Sequence, residues 1–318
     1  MVTGVNGYIG AALSRRLAGS QWQVRGVMRR QQPGLNAPSL LDGAEISTIE
    51  GIGPDTSWSG LLEGVDVLVH LAARVHVMRD TEQNPIDVFR QVNRDGSVAL
   101  ANAAVAAGVR RMVYLSSIKV NGEQTTDRPF SEEDIPAPHD AYAISKWEAE
   151  QALRRIVEET GLELVILRPP LVYGPGVKAN FLKLLNLVRK GVPLPLASVG
   201  NRRSLVALEN LVDFIVLCME HPKAVGETFL VSDGEDISTP DLIRMIARKM
   251  KMPARLIPFS PKAIRFAAQI LGKKAAANRL LGSLQIDSSK ADRLVGWHRT
   301  ISLDEGIGHT VEWYLRRF

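Results

Sequence analysis

The strongest constraint on the fold is a glycine-rich stretch near the start of the chain, Val2 to Gly10 (VTGVNGYIG). It joins a short apolar strand to a helix in which Ala11, Leu13 and Leu17 recur at helical spacing. Glycines fit there because the chain turns tightly, the backbone approaches a pyrophosphate closely, and the helix packs on the strand. The helix N-terminus also offers N–H groups to phosphate oxygens. The stretch predicts a dinucleotide-binding β-α unit, although a glycine pattern alone is a weak signal.

Two further runs extend this unit into a parallel sheet. The continuous apolar run from Val65 to Ala73 is typical of a strand that is covered on both faces. The run Arg111 to Leu115 delivers Ser116 and Ser117 at its carboxyl end, the edge at which such sheets bind ligands. We therefore predict an α/β fold with a Rossmann-type doubly wound parallel sheet.

A second motif, Tyr142 to Glu150 (YAISKWEAE), lies in a predicted helix with Asp140 as N-cap and Gly161 as its stop. Residues four apart share a helix face, so the Lys146 ammonium can lie near the Tyr142 phenol. A nearby cation lowers the pKa of a phenol from its usual value near ~10. Tyr142 could then act as general acid or base toward a carbonyl or alcohol. The ordinary alternative is a rim tyrosine beside a solvated lysine.

The second predicted strand, Gln23 to Met28, ends in Arg29 and Arg30. An acidic residue at this point would accept hydrogen bonds from the ribose hydroxyls, whereas arginine suits a 2′-phosphate. We therefore predict an NAD(P) cofactor with NADP(H) favoured. The alternative is that the two arginines form a solvated turn.

Charge and composition exclude several classes of function. The net charge of +5 arises from scattered basic pairs without an aromatic-interleaved patch, which argues against nucleic acid as a partner. The longest apolar run, Leu211 to Met219, is shorter than the ~20 residues that a membrane helix needs, so we expect no membrane insertion. The single Cys218 suits a cytoplasmic protein. The histidines show no metal-ligand spacing, and we predict no metal.

Five motifs follow one another in a recognisable order: TGVNGYIG, VHLAA, LSSIKVNG, YAISK and LRPPLVYGP. Together they resemble the extended short-chain dehydrogenase/reductase family, and within it the nucleotide-sugar epimerase/dehydratase branch, over nearly the whole chain. The resemblance implies an NAD(P) cofactor, a UDP-sugar substrate, a homodimer and a catalytic Ser-Tyr-Lys set. Aligning Val120, Asn121 and Gly122 with the family's Val-Tyr-Gly assigns that set to Ser117, Tyr142 and Lys146.

The motifs and the resemblance also assign binding residues. The expected cofactor-binding residues are Gly4, Asn6, Gly7, Tyr8, Ile9, Gly10, Arg29, Arg30, Gly51, Ile52, Leu71, Ala72, Ala73, Asn93, Ser116, Tyr142, Lys146 and Pro169. The expected substrate-binding residues are Ser117, Lys119, Asn180, Arg203 and Arg279, of which the two arginines would pair with the pyrophosphate. Simpler interpretations stay open, namely a helix N-cap for Asn180, a surface arginine for Arg203 and an exposed polar residue for Asn93. For Asn93 we prefer a helix-to-strand hydrogen bond.

The chain departs from the family pattern at several positions. Gly51 and Ile52 replace the acidic residue before the adenine, and Lys119 stands where threonine is frequent. Asn121 replaces the tyrosine of Val-Tyr-Gly, and Leu171 replaces an asparagine. These substitutions change polar contacts around the sugar, and they weaken an assignment as an ordinary UDP-glucose 4-epimerase.

The chain is also similar to bacterial proteins of O-antigen gene clusters, which include reductases that form UDP-N-acetyl-quinovosamine. We therefore expect an NAD(P)-dependent oxidoreductase acting at carbon 4 of a UDP-sugar, namely a 4-ketoreductase that forms a UDP-N-acetyl-6-deoxyhexosamine. A 4-epimerase of a UDP-hexose or UDP-N-acetylhexosamine is the alternative that uses the same residues. A non-catalytic NAD(P)-sensing protein is more distant, because such proteins commonly lose the tyrosine or the lysine.

The regular alternation of strands and helices breaks down after Arg168. We predict a dinucleotide-binding domain over residues 1–168 and a smaller C-terminal α/β substrate-binding lobe over 169–318, with some segments returning to the sheet. In this lobe, Phe259 to Leu271 combines apolar residues with cations. It is either a membrane-surface segment or, as we prefer, a helix packed on its neighbours.

Overall fold

The computed structural model describes residues 1–30, 44–75, 84–272 and 274–318. Its ten strands are β1 Val2–Thr3, β2 Arg25–Arg29, β3 Glu45–Ile49, β4 Val67–His70, β5 Arg111–Leu115, β6 Glu163–Arg168, β7 Leu171–Tyr173, β8 Arg203–Ala207, β9 Thr228–Leu230 and β10 Asp236–Ile237. The helices are α1 Tyr8–Leu17, α2 Pro85–Arg90, α3 Gly96–Ala106, α4 Ala141–Thr160, α5 Ala179–Arg189, α6 Leu208–Glu220, α7 Thr239–Lys249, α8 Pro261–Ile270, α9 Lys274–Leu281, α10 Ser289–Val295 and α11 Leu303–Arg317.

Seven parallel strands form the main sheet in the spatial order β3-β2-β1-β4-β5-β6-β9. The chain order runs outward in both directions from β1, so the switch point of the sheet lies between β1 and β4. Doubly wound sheets bind ligands at the carboxyl side of this point. The predicted α/β fold with a Rossmann-type sheet is confirmed.

Alternate residues of one strand face different cores, which explains the continuous apolar runs in the sequence. On β5, Val113 packs with α1 and α6, whereas Met112 packs with α3 and α4 on the opposite face. Both side chains are at most 1% exposed. The two helical layers therefore hold the sheet between them and fix the position of the carboxyl ends of its strands.

A second sheet of three strands, in the order β10-β8-β7, begins the C-terminal lobe. Its core joins β8 to α5, α7 and α11 through residues such as Phe181, Ile246 and Ile307. The chain does not remain in this lobe, because α6 packs against the main sheet and β9 pairs with β6 as its edge strand. The lobe thus lies directly beyond the carboxyl edge of β6.

Three element boundaries differ from those expected. The second strand runs from Arg25 to Arg29, and the fourth covers only Val67–His70 of the apolar run. Helix α5 begins at Ala179 with Lys178 as its N-cap, so the possible N-cap role of Asn180 is wrong. None of the helices in the described ranges is long and apolar enough to span a membrane.

Candidate active site

Helix α4 carries the predicted Tyr-Lys pair and is fixed at both ends as expected. The Asp140 carboxylate accepts a hydrogen bond from the Ala143 N–H at 2.8 Å, which is an N-cap interaction. Gly161 ends the helix with a φ of 74°, a left-handed conformation that favours glycine. Both predicted boundaries are confirmed, and they place Tyr142 in the first turn.

Lys146 is buried beneath the site, with 2% of the residue exposed. Its Nζ donates a hydrogen bond to the Tyr114 hydroxyl at 3.0 Å and lies 4.2 Å from the centroid of that ring. Burial lowers the pKa of Lys146 to about 7, and the nearby charge of Glu150 opposes this change. The amine is therefore close to half-protonated at neutral pH.

The pKa of Tyr142 is raised to about 12, first by burial and then by the charge of Asp140. A hydrogen bond with the Ser117 side chain acts in the opposite direction. The Lys146 amine donates a hydrogen bond to Tyr114. Our prediction of a lowered pKa for Tyr142 is wrong, because burial outweighs the effects that lower it. Tyr142 is consequently a protonated phenol at neutral pH and is suited to donate a proton.

The two adjacent serines have different environments. Ser117 caps a short 3₁₀ turn, Ile118–Val120, by accepting the N–H of Lys119, and it also bonds Tyr142. The Ser116 hydroxyl donates to Glu150 in the interior, and the residue is 3% exposed. The Ser-Tyr contact is thus made by Ser117.

A buried ionic network lies behind these serines. Arg168 donates two hydrogen bonds to the Glu150 carboxylate, at 3.0 and 2.5 Å, and a third to the Asn121 side-chain oxygen at 2.9 Å. Glu150 and Arg168 are 0% and 3% exposed. This contact explains Asn121, since a short amide fits between Arg168 and the backbone oxygen of Ser131, to which it donates at 2.9 Å.

The loop after β4 is held by a chain of buried polar contacts. The Thr3 hydroxyl bonds one nitrogen of His70 at 2.6 Å, and the other nitrogen bonds the Ser97 hydroxyl at 2.9 Å. Burial, with the charge of Lys146, lowers the pKa of His70 to about 3, so the ring is neutral. Sequence reasoning missed His70 and Tyr114. Their signal is a polar ring within an otherwise aliphatic strand.

Asn93 is buried rather than exposed, but it bonds the loop after β4 and helix α4 instead of making the helix-to-strand hydrogen bond that we preferred. It lies in a π-helical turn, Gln91–Asp95, and its amide both accepts from the Arg74 N–H and donates to the Arg74 carbonyl. The same amide donates to Ser145 of α4 at 3.0 Å. Asn93 therefore ties the loop after β4 to the helix of Tyr142, and it acts on the site through these elements.

The glycine loop fits a dinucleotide by its geometry. A Cβ on Gly10 would lie 2.2 Å from the Gly4 oxygen, so only glycine permits the close crossing of loop and helix. Gly4 has a φ of 70° and lies against Ala72, where an added Cβ would come within 3.0 Å. Helix α1 has Gly7 as its N-cap and no side-chain capping bond. Its first N–H groups therefore suit a pyrophosphate.

The remaining residues of the loop are Asn6, which is exposed, and Tyr8 and Ile9, which are half-buried at the start of α1. The Tyr8 hydroxyl is buried without a hydrogen-bond partner among the described residues. It lies beside Gly174 of the lobe, where an added Cβ would come within 3.1 Å of the hydroxyl. Tyr8 thus faces the junction of sheet and lobe. Leu71 and Ala73, on either side of Ala72, are half-buried after β4.

The adenosine end of the predicted site has both basic and acidic side chains. Arg29 and Arg30 are exposed at the end of β2, and Arg30 forms an ion pair with Glu50 at 2.5 Å. Gly51 accepts a hydrogen bond from Thr56, and Ile52 packs so closely on α3 that a Cβ on Gly96 would lie 2.4 Å from it. Sequence reasoning missed Glu50, the acidic residue just before Gly51.

Pro169 lies at the carboxyl end of β6, where its carbonyl accepts the N–H of Ile118 at 3.0 Å. Lys119 forms ion pairs with Asp140 and with Glu123. These contacts hold the Ser117 turn against β6 on one side and against the N-terminus of α4 on the other.

Two arginines come together in the lobe. Arg203 starts β8, is half-buried, and donates to the Gly282 carbonyl at 3.0 Å. Burial, followed by the charge of Arg279 on α9, lowers the pKa of Arg203. The structure thus brings two cations near each other, whereas Asn180 is exposed in the first turn of α5. In the described ranges, no group of three or more His, Cys, Asp and Glu side chains could hold a metal ion.

The sheet, the glycine loop and the Ser-Tyr-Lys set define an enzyme of the short-chain dehydrogenase/reductase type. The profile of the NAD-dependent epimerase/dehydratase family matches residues 1–232. The chain belongs to this family of nucleotide-sugar enzymes. It is 41% identical over 319 residues to a UDP-glucose 4-epimerase of Vibrio cholerae. The alignment covers 99% of this chain and 95% of the relative.

Solved structures show the same fold at lower identity. A UDP-glucuronic acid 4-epimerase from Bacillus cereus in complex with NAD has a TM-score of 0.80 at 22% identity, over 99% of this chain and 98% of the other. A UDP-glucose 4-epimerase from Thermotoga maritima with UDP-glucose has a TM-score of 0.77 at 22% identity, with the same two coverages of 99% and 98%.

Proposed function

We propose that this protein is an NAD-dependent 4-epimerase of a UDP-hexose or UDP-N-acetylhexosamine. The observation that carries the proposal is the hydrogen-bonded pair of Ser117 and Tyr142 at the carboxyl edge of the sheet, with Lys146 buried below it. The full-length similarity to a protein named UDP-glucose 4-epimerase favours epimerisation over net reduction.

In this proposal Tyr142 moves the proton of the sugar 4-hydroxyl. NAD, when bound by the glycine loop, supplies the acceptor and donor of hydride. Tyr142 is protonated at neutral pH, so it is ready to return a proton to a ketone oxygen. Ser117 hydrogen-bonds the same sugar oxygen and keeps it near the phenol.

The oxidation direction needs the phenolate of Tyr142. The hydrogen bond from Ser117 lowers the pKa of Tyr142, and a protonated Lys146 would favour the anion further. Arg203 and Arg279 would bind the UDP pyrophosphate, because two guanidinium groups provide permanent charge and bidentate geometry for phosphate oxygens. Binding there positions the sugar without taking part in the chemistry.

A second candidate is the 4-ketoreductase that forms a UDP-N-acetyl-6-deoxyhexosamine, with NADPH as reductant. The exposed Arg29 and Arg30 at the end of β2 favour it, since they suit a 2′-phosphate. Glu50, paired with Arg30, places a carboxylate in the same region and supports NAD instead. A non-catalytic NAD(P)-sensing role is less well supported, because the tyrosine and the lysine are both present.

The assembly is also part of the proposal. We expect a cytoplasmic homodimer in which α4 and the preceding α3 pack against the same helices of a second copy. Sedimentation equilibrium at micromolar concentration would test this, with a mass of twice 34.9 kDa expected.

The activity is tested with purified protein and UDP-glucose or UDP-N-acetylglucosamine, without added reductant. We expect the matching galacto-epimer to form, as followed by anion-exchange chromatography. Stoichiometric NADPH consumption with a 4-keto-6-deoxy UDP-sugar, and no epimer, would replace the proposal by the reductase.

Tyr142→Phe removes the proton donor and should lower kcat by about 10²- to 10⁴-fold, the usual contribution of general acid–base catalysis. Tyr314→Phe is the matched control, because its hydroxyl bonds Asn186 within the lobe at 2.6 Å. Epimerisation by Tyr142→Phe at the wild-type rate would contradict the assignment of Tyr142.

A further inference from the structure

The positive charge of the protein is concentrated in one stretch. Residues 251–286 contain seven of the 39 Lys and Arg residues and none of the 34 Asp and Glu residues. The rest of the chain therefore has 32 basic and 34 acidic residues, and its net charge is slightly negative. Such asymmetry produces a local positive field that the overall charge does not reveal.

The same stretch carries a group of exposed apolar side chains on and beside α8. Phe266, Ile270 and Leu271 are 69%, 70% and 68% exposed, and Phe259 and Ile257 are 50% and 47% exposed. Helix α8 has no buried residue. Our preference for a helix packed on its neighbours is therefore only partly correct, since most of this helix faces outward.

The two faces of α8 have different environments. Ile264 and Ala268, four residues apart, pack against the core of the lobe. Phe266 and Ile270, also four apart, form the outer face together with Lys262, one turn before Phe266. Arg265 is exposed at the edge of this face. The outer face, defined as Phe259, Lys262, Arg265, Phe266 and Ile270, thus joins apolar side chains to cations.

We propose that this outer face of α8 docks on a membrane surface that contains anionic phospholipid. A helix with apolar and cationic residues side by side lies in the interface plane, with its apolar side chains between the headgroups. The cations add attraction to anionic lipid, at roughly fivefold in affinity for each Lys or Arg near the surface. Hence the protein binds the membrane peripherally through α8.

Charge argues against a second copy of the chain as the occupant. A two-fold contact through α8 would bring Lys262 and Arg265 of one protomer close to the same cations of the other, with no acidic residue in 251–286 to pair with them. Nucleic acid would be attracted by the cations, but it would leave the aliphatic Ile270 and Leu271 in water. An anionic bilayer satisfies both features.

The position of α8 gives the docking a direction. Helix α8 packs against α9, which carries Arg279. Arg279 lies near enough to Arg203 to influence its pKa. Docking through α8 therefore turns this end of the lobe toward the lipid headgroups.

The test is flotation of the full protein with vesicles of phosphatidylcholine alone and of phosphatidylcholine with about one-third phosphatidylglycerol. We expect binding to the anionic vesicles, weaker binding to the neutral ones, and release by high salt. Phe266→Ser/Ile270→Ser should weaken binding at least tenfold, because two apolar side chains no longer enter the interface. Lys262→Gln/Arg265→Gln should weaken it roughly 25-fold.

Matched controls alter similar side chains elsewhere. Ile135→Ser changes a residue that is 89% exposed, and Arg15→Gln/Lys223→Gln removes two exposed cations. Both should bind like the wild type. The proposal is overturned if the protein does not bind anionic vesicles, or if both outer-face variants bind them as the wild type does. It is also overturned if the Phe266→Ser/Ile270→Ser substitution instead dissociates an oligomer in sedimentation.

Discussion

Burial of Lys146 links the stability of the protein to pH. Its pKa is about 7 in the folded protein and 10.5 as an unperturbed lysine. Between these values the unfolded state binds a proton that the folded state lacks, so stability rises with pH. The free-energy cost of burying the charged amine is fully present below about pH 7, and it disappears above the pKa of the unfolded state.

This linkage can be isolated with Lys146→Met. The wild type should gain about 1.4 kcal/mol of unfolding free energy per pH unit relative to the variant, between about pH 7.5 and 9.5. Urea denaturation at several pH values measures the difference. Lys223→Met, at an exposed lysine, is the control for loss of charge. A wild-type to Lys146→Met difference that does not change with pH would show that Lys146 is not desolvated.

At the scale of single residues, the sequence predicts which side chains lie close together at the proposed site more readily than it predicts their pKa. Tyr142 and Lys146 lie four apart on a helix whose caps are local, so their proximity follows from spacing. The burial that raises the pKa of Tyr142 comes from distant parts of the chain, such as Phe89, whose ring packs edge-on at 6.3 Å. The Tyr114 contact of Lys146 spans 32 positions, so residue spacing does not predict it.

At the scale of elements, the Glu150–Arg168 pair joins α4 to β6 inside the protein. Breaking a buried ion pair by removing one partner leaves an uncompensated charge, which typically costs ~3–5 kcal/mol. Arg168→Met should therefore destabilise the protein by about this amount, as measured by urea unfolding. Replacing both residues with Met should recover much of the loss, because no charge then stays buried.

The double variant distinguishes desolvation from packing. If Glu150→Met/Arg168→Met is no more stable than Arg168→Met alone, the pair contributes through shape rather than charge. Arg244→Met is a suitable control, since its ion pair with Asp241 is exposed and should contribute less than ~1 kcal/mol.

The crossing of β1 and α1 depends on Gly10. In Gly10→Ala the new Cβ would begin 2.2 Å from the Gly4 oxygen, so the loop must open. We expect NAD affinity to fall at least tenfold and stability to drop by ~1–3 kcal/mol, as for other overpacked sites. Calorimetric titration with NAD and thermal unfolding measure the two effects. Gly200→Ala is the control because an added Cβ there meets nothing within 4 Å, and equal losses in both variants would refute the steric argument.

Element types follow from the sequence where the pattern is periodic and the caps are local, as in α4 and in α7 with its Ser238 N-cap. The sequence does not predict an element or its boundary where contacts between residues distant in the chain determine it. Helix α5 starts one residue before Asn180, at Ala179, whose φ of 52° is left-handed and is indicated by no local pattern. The π-helical turn at Asn93 likewise depends on the Arg74 backbone and Ser145, contacts that are remote in sequence.

At the scale of the whole molecule, segments that return from the lobe join it to the main sheet. The sequence gives their order along the chain but not their position in the fold. The apolar runs of β4, β5 and β6 predict a covered parallel sheet, which the structure has. The return of β9 to the edge of β6 places Asp233 just beyond it, where its carboxylate binds Tyr173, Ala207 and Asn210. Such a junction depends on the packing of the complete chain.

The arginines of the lobe give a prediction for the whole molecule. Burial, followed by the charge of Arg279, lowers the pKa of Arg203, so an anion between the two arginines should stabilise the fold. UDP at one hundred times its Kd would add about 2.7 kcal/mol to the unfolding free energy. In Arg203→Met the loss of repulsion offsets the loss of the bond to Gly282, so the stability without UDP should change by less than ~1 kcal/mol.

The Arg203→Met substitution should change the affinity for UDP much more than it changes the stability without UDP. Loss of charge-assisted bonds to phosphate, worth ~1.5–3 kcal/mol, should weaken UDP at least tenfold in thermal-shift and calorimetric titrations of Arg203→Met. Arg202→Met is the control, because this neighbouring arginine is exposed. If both variants bind UDP equally well, the pyrophosphate does not bind at Arg203, and the pair of cations must have another role. A loss restricted to Arg203→Met would instead connect the lobe to the site at Tyr142, since the sugar of a UDP-sugar is attached to the phosphates that Arg203 would then bind.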